Sequence, residues 1–464
     1  MTSPKGATPL DLAVSLYQQG RIADASDAAS RGACLSPGQG YGWLLLGNFS
    51  YAQNDWSLAQ LAFERAIKLI PTGAEAIFNL GNLHFQAGRF DSAPGSLRRA
   101  LSLSPSHLSA WVLLSTAQRF RGDLPSAERS GWHAIALAPE DDGPAVLVSQ
   151  LLLMRSEFKQ GWSLYERRLV RQVSSISTAR PRLNDGDRIT GPVLLWGEQG
   201  VGDEIMFASL LPEAIAHFPD VLLQIDARLK GLFQRSFPNL RIYDYAETPP
   251  VDDYTSHLPL GSLGLHFRSQ ALAFSRQTRA YLKADPKRVH EVSSWLARQA
   301  GEIVVGLSWS SSSPEHGALR SLDLSELCSA LNFPMVRFVN LQYGDVAPAL
   351  KALDASARAR IAVHPDIDNL RDLDGLAALM CNCDLIVTVG NTTAHLAGAL
   401  GLNAWVMLPF SPSWRWMAAG VRTPWYESLR LYRQVRPRDW TTLLEQLKAD
   451  FGRHFLPQAL DLAR

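Results

Sequence analysis

No apolar run in this 464-residue chain reaches the roughly 18 residues needed to cross a bilayer, and the opening MTSPKGATPLDLAV has neither the basic patch nor the apolar core of a secretory leader. A cytoplasmic protein without a membrane span is therefore expected. Excess charge of either sign is also missing. The 45 Lys and Arg against 44 Asp and Glu leave a formal net charge of +1, which gives no electrostatic case for nucleic acid or an anionic membrane as partner. Cysteine is scarce: Cys34, Cys328, Cys381 and Cys383 form no C-x-x-C pair and no zinc-like spacing, so they read as reduced, small apolar side chains. What remains is ordinary globular material, 46% hydrophobic and 19% charged, in a chain too long for one typical domain.

Prolines at 37, 71, 105 and 139 recur every 34 residues, the tetratricopeptide period. Other positions travel with them. Trp43, Leu46, Gly47, Ala59, Phe63 and Ala66 of one unit reappear as Ile77, Leu80, Gly81, Ala93, Leu97 and Ala100, and again as Trp111, Leu114, Ser115, Ala127, Gly131 and Ala134. Small residues let the two helices of a hairpin approach, large ones fill the seam, and each proline ends a second helix. The first unit, with Leu12, Ala13, Ala25 and Ala29, is weaker, as expected of a cap, and EFKQGWSLYERRL supplies a partial closing unit. Four repeats and a closing helix pair predict a short α-solenoid over residues 1–170, with a concave face suited to a polypeptide.

Beyond Val170 the period stops. Residues 171–190 read as a linker, and the grammar changes to short apolar runs, PVLLWGEQG, VLLQID, IVVGLSW, RFVNLQ, DLIVTVG and NAWVMLPF, separated by helix-like segments. Such runs predict buried parallel strands in an α/β region of two Rossmann-like lobes, 191–285 and 286–464, with a cleft between them.

Ligands gather in open parallel sheets where strands end and helices begin. Three such turns stand out. In WGEQGVGDEIM, Glu198, Gly200, Gly202 and Asp203 follow a strand; the glycines allow close backbone approach, and Asp203 either accepts a proton from a ligand or caps the next helix. In GLSWSSSSPEHGALRS, Ser310 to Ser313 form a polar loop before Pro314, and with Arg320 they offer hydroxyls, N–H groups and a guanidinium to a diphosphate, or else a solvated loop. In VGNTTAHL, Asn391, Thr392 and Thr393 open a helix with His395 one turn in. Two further features have bland readings. Asp366 and Asp368 of PDID imitate a metal-binding D-x-D but equally cap helices, and Trp414, Arg415 and Trp416 can stack a base or anchor lobe packing, of which packing is adopted.

With these blocks in place, the chain from Pro192 onward resembles the catalytic region of bacterial tetratricopeptide-repeat glycosyltransferases, whose lobes are similar to lipopolysaccharide heptosyltransferases and more distantly to O-GlcNAc transferase. The resemblance rests on WGEQGVGDEIMFASLLP, VGLSWS, RSLDLSEL, FVNLQYGD, DLDGLAALMCNCDLIVTVGNTTAHLAGALG, LPFSPSWRWM and PWYESLRLYRQ. It implies a GT-B fold, an acceptor-side first lobe, a nucleotide-sugar donor held by the second, and metal-independent inversion with no cofactor. Carried over by residue, it implies Asp203 as general base, Gly200 and Gly202 as cleft glycines, and a donor site of Ser308, Ser310, Arg320, Gln342, Asn391, Thr392, Thr393 and His395. One position departs, because Gly390 stands where the family carries an acidic residue. The implied function is transfer of a sugar to a hydroxyl of a protein acceptor chosen by the repeats, with flagellin a candidate by resemblance. The alternatives are a catalytically inactive scaffold and a transferase acting on a glycan or lipid-linked acceptor.

Overall fold

The computed structural model describes residues 8–171, 176, 178–184, 186–276, 280–313 and 317–462. Part of the expected linker, and Pro314 of the serine loop, lie outside these residues. The chain divides into two compact units, Met1–Leu151 and Leu152–Arg464.

The first unit consists of paired helices: α1 (Pro9–Gln18) with α2 (Ile22–Leu35), α3 (Gly40–Ala52) with α4 (Trp56–Leu69), α5 (Ala74–Gln86) with α6 (Ala93–Leu103) and α7 (Leu108–Phe120) with α8 (Leu124–Leu137), followed by α9 (Asp142–Met154). The second helices end at Leu35, Leu69, Leu103 and Leu137, two residues before each periodic proline, so the sequence period is the helix-end period. Two residue types set the seams. A Cβ on Gly47 would lie 2.5 Å from the Phe63 ring, and one on Gly81 would lie 2.9 Å from Leu97. In the fourth hairpin the small and large roles change: Ser115 donates to the Ala127 carbonyl at 2.7 Å, and Gly131 leaves space for Val148. Asp55 and Asp123 cap α4 and α8, and the Trp43 and Trp111 indoles donate to the Pro37 and Pro105 carbonyls, the same contact one repeat pair apart.

The second unit begins inside α9. The partial repeat expected to close the solenoid, α10 (Phe158–Tyr165), has Trp162 within an aromatic cluster with Phe207, Trp414 and Trp425, and its indole donates to the Arg268 carbonyl at 2.9 Å. The short α11 (Arg168–Arg171) follows. The division by contacts therefore places these helices with the α/β region, whereas the sequence reading set the boundary at 170.

Two all-parallel sheets follow. The first holds β1 (Val193–Trp196), β2 (Val221–Ile225), β3 (Arg241–Asp244) and β4 (Ser256–Pro259) in the order β3-β2-β1-β4. The second holds β5 (Ile303–Ser308), β6 (Val336–Asn340), β7 (Ile361–Ala362), β8 (Leu385–Val389), β9 (Ala404–Leu408) and β10 (Leu429–Arg433) in the order β10-β9-β8-β5-β6-β7. In this second sheet the chain leaves β5 toward one edge and returns through β8 toward the other. The loops after β5 and β8 therefore diverge and open a crevice at the carboxyl ends of the strands. The C-terminal helix Thr441–Leu462 lays Leu443, Leu447 and Phe451 against this sheet.

Candidate functional site

After β1 the backbone turns through Gln199 and Gly200, the latter at φ 153°, a conformation that favours glycine, and enters α12 (Val201–Ala208). Gly200 is the N-cap and makes no side-chain cap bond, while Asp203 sits inside the first turn. The capping alternative for Asp203 is thereby excluded. Its carboxylate instead accepts from Arg415 Nε at 2.5 Å, and Arg415 also reaches Ser413 Oγ at 2.9 Å and Gln199 Oε1 at 3.2 Å. Glu198 points elsewhere, into a buried pair with Arg168 of α11, and accepts the Gly261 N–H at 3.0 Å.

The other wall is built at the switch point of the second sheet. Asn391 caps the helix Thr392–Ala399 by accepting from Thr393 N at 3.0 Å, while its Nδ2 donates to Ser308 Oγ at 2.9 Å and to the Ser310 carbonyl at 3.0 Å. One amide thus ties the β5 loop to the β8 loop, and an aspartate could not make the two donations. Gln342 fixes the same loop from behind, its Oε1 accepting from the Ser308 hydroxyl and from the Trp309 and Ser310 N–H groups.

A cavity of about 500 Å³ opens between these walls. From the first sheet's side it takes Gly200, Gly202 and Asp203; from the second, Ser311 to Ser313, Arg320, Asn391, Thr392 and His395, with Arg415 and Trp416 closing it. The expected residues do not all face it. Ser308, Ser310, Gln342 and Thr393 are not on the cavity wall; they stand one layer back and hold the loops that are. The serine loop also differs from expectation in its donors. The N–H groups of Ser310, Ser311, Ser312 and Ser313 are taken by Gln342, Ser321, Tyr343 and Ser311 side chains, so its offer to an anion lies in hydroxyls and Arg320 rather than in a free amide nest. The Gly202 backbone lies close to His395, since a Cβ there would lie 3.2 Å from that ring.

The aromatic cluster splits by residue. Trp414 packs against Trp162, Tyr165 and Phe207, as adopted from the sequence, but Trp416 stacks on the His395 ring at 4.9 Å and Arg415 faces the cavity, roles the packing reading missed. Trp416 also explains Gly390: a Cβ there would lie 2.7 Å from the indole nitrogen, so an acidic side chain and this indole cannot share the site. His395 is buried, with Nδ1 3.0 Å from the Tyr426 hydroxyl. Burial, with Arg415 and Arg320 nearby, pushes it down to about 3, so the imidazole is neutral. Asp366 and Asp368 are exposed, and Asp368 accepts from Leu370 N at 2.9 Å as a turn cap.

Glu204, beside Asp203, is sealed under the turn, where it accepts from Asp226 N at 2.9 Å and from the Tyr245 hydroxyl at 2.7 Å. Burial raises it from 4.5 to about 7. The folded state therefore holds this proton more tightly than the unfolded chain. The contribution is fully present below about pH 4.5 and is lost as pH rises through about 7. Wild-type unfolding free energy is expected to fall across that window by up to about 3 kcal/mol from this group, and Glu204→Gln to flatten the slope. Urea titrations at a series of pH values check this.

Comparison with known proteins identifies part of the chain. Residues 10–74, 44–107 and 78–141 match the tetratricopeptide repeat family. Protein FlbA of Caulobacter vibrioides is 30% identical over 312 residues, which is 61% of this chain and 50% of that protein, so the chain spans about half the length of that relative. Among solved structures, MamA is similar at 18% identity over 35% of this chain and 94% of its own, with a TM-score of 0.33. YrrB, described as a tetratricopeptide-repeat protein with an unusual peptide-binding site, is similar at 14% identity over 35% of this chain and 84% of its own, with a TM-score of 0.32. Among the described residues no helix is long and apolar enough to cross a membrane.

Proposed function

We propose that the α/β unit is a GT-B-type, inverting and metal-independent glycosyltransferase, which moves a sugar from a nucleotide-sugar to a hydroxyl of a protein acceptor. The observation that carries this reading is the cavity itself: a carboxylate at the carboxyl end of one parallel sheet faces two arginines, hydroxyls and a helix N-terminus at the switch point of another. An attacking hydroxyl must lose a proton, and Asp203 is the carboxylate placed to take it. The departing nucleoside diphosphate gains negative charge, which Arg320, Arg415, Ser312 and Thr392 would stabilise. Arg415 leaves Asp203 for the more highly charged phosphates, so donor binding frees the base. No metal or other cofactor is called for in this scheme.

The acceptor is assigned to the repeats. Tyr17 of α1, Tyr41, Asn48 and Phe49 of α3 and Asn79 and Asn82 of α5 line a groove of about 560 Å³ in the first unit, with amides and rings suited to an extended peptide. Flagellin is the acceptor the resemblance suggests, and the setting is cytoplasmic.

A panel of nucleotide sugars tests the proposal. Release of nucleoside diphosphate is expected with at least one donor, and Arg320→Ala is expected to weaken binding of that diphosphate by about 1.5 to 3 kcal/mol in calorimetry. A folded wild type that neither binds nor releases nucleotide would instead identify a scaffold.

A further inference from the structure

An indole N–H can only donate, and a buried one ordinarily has a partner. Trp416 is only 2% exposed, yet its Nε1 forms no hydrogen bond to any described residue. Nor is it sealed. The Nε1 of Trp414, two residues earlier, is among the enclosed, unpartnered atoms, whereas that of Trp416 is not. The ring lies on the cavity wall, and the first atoms a Cβ on Gly390 would meet are its Nε1 at 2.7 Å and Cε2 at 3.3 Å. The N–H edge therefore lies over Gly390. Gly390, Asn391 and Thr392 share that wall and lead into the helix Thr392–Ala399, so the free donor stands beside a helix N-terminus, whose positive end favours an electron-rich oxygen.

The ring is held in two ways. One face stacks on His395, with 4.9 Å between centroids and 26° between planes. The backbone is gripped by Arg433, the last residue of β10, whose Nη2 donates to the carbonyls of Trp416 at 2.6 Å and Ala419 at 3.3 Å. Its Nη1 donates to the Met417 carbonyl at 3.1 Å, and its Nε to that of Gly420 at 2.8 Å. This collar encloses a strained residue. Met417 has φ 59° and ψ 165°, a combination that residues with side chains rarely adopt and that persists only where the surroundings over-determine it. Arg433 is not on the cavity wall, so what it fixes there it fixes through the turn that carries Trp416.

We propose that Trp416 is a binding residue of the cavity, donating its indole N–H to an oxygen of the bound nucleotide-sugar beside Gly390, and that Arg433 is the positioning residue that aims it. The identity of the ligand rests on the transferase reading above. An indole donates at every pH and accepts nothing, so this wall selects an acceptor oxygen. Diphosphate and sugar both carry such oxygens, and the test separates them.

Full-length protein labelled with nitrogen-15 at its tryptophan indoles reads the donor directly by NMR, with Trp416 assigned by Trp416→Phe. In the unliganded protein its N–H is expected to exchange with water faster than that of Trp414; equal protection would overturn the inference. Inorganic pyrophosphate and a panel of UDP-, GDP-, dTDP- and CMP-sugars are then titrated in. A downfield move of the Trp416 indole proton with pyrophosphate assigns the oxygen to the diphosphate, and a move seen only with a nucleotide-sugar assigns it to the sugar. Calorimetric binding with an unmoved Trp416 signal would overturn this inference and leave the transferase reading standing. If no nucleotide-sugar binds to the folded protein, both fall.

Affinity of the probe that binds gives the second reading. Trp416→Phe keeps a ring against His395 but lacks the N–H, and it is expected to bind that probe about tenfold more weakly, the scale of one hydrogen bond. Arg433→Met is expected to cause a similar loss and to abolish the indole shift. The double variant should lose no more than Trp416→Phe alone, because both changes remove the same donation. Undiminished affinity in Trp416→Phe, or additive losses, would contradict the proposal. Should Trp416→Phe fail to fold, Gly390→Ala takes its place: the new Cβ displaces Nε1, so affinity is expected to fall with the indole still present, and unchanged affinity would overturn the inference.

Discussion

Asp203→Asn is expected to lower sugar transfer at least about a hundredfold, the usual scale for losing general-base help, while nucleotide affinity stays the same or rises. The two halves of this expectation have separate causes. Asparagine keeps the shape of the side chain and can still accept from Arg415 Nε through Oδ1, so the first turn of α12 and the cavity wall persist. It cannot take a proton. It also no longer neutralises Arg415, and a guanidinium relieved of its carboxylate is freer to pair with a diphosphate. Transfer and binding should therefore separate, with turnover measured by nucleotide release and affinity by calorimetry. An undiminished rate removes Asp203 from the chemistry, and a joint loss of rate and affinity assigns it to the ligand's binding site instead.

How much of this was legible in the sequence follows from where each element lies. The apolar runs read as strands are β1, β2, β5, β6, β8 and β9, all interior to their sheets and buried on both faces or nearly so, which demands continuous hydrophobic residues. The strands not read, β3, β4, β7 and β10, are the edges of the two sheets. An edge strand is paired on one side only and can be short and polar, as in Arg241–Asp244 or the two-residue Ile361–Ala362, so it leaves no run to find. The repeats were legible for the opposite reason. Each hairpin meets the same neighbours, so one constraint is written four times at a fixed spacing.

The site was legible where the backbone needs a particular residue and illegible where side chains meet across long separations. Gly200 and the Asn391 cap announce themselves locally, through a turn and a helix start. Arg415 does not, because its partner lies 212 positions earlier. Ser308, Gln342 and Thr393 carry the right chemistry for a ligand but spend it on one another, and only the packing of β5 against β6 and β8 decides that. Gly390 gives the same lesson in reverse. The departure there is one of packing, because the indole of Trp416 occupies the space that an acidic side chain would need.

The largest stability loss is expected from Arg168→Met. Arg168 and Glu198 are both buried, and the guanidinium binds the Glu198 carboxylate through Nε and Nη2 while also reaching Glu166, Ser262 and the Tyr165 carbonyl. Removing the cation leaves Glu198 charged in a dry site with the Gly261 N–H for company, and such breakage costs about 3 to 5 kcal/mol. Amide exchange at β1 measures this without interference from the repeats, since Glu198 lies two residues beyond that strand. Replacing both partners, Arg168→Met with Glu198→Gln, should recover most of the loss, because the penalty belongs to the orphaned charge rather than to the missing pair. Additive losses would contradict that account. The same variant probes the site: Glu198 immediately precedes Gln199 and Gly200, so loosening it shifts the turn that carries Asp203, and catalysis should weaken in Arg168→Met even at temperatures where the protein remains folded.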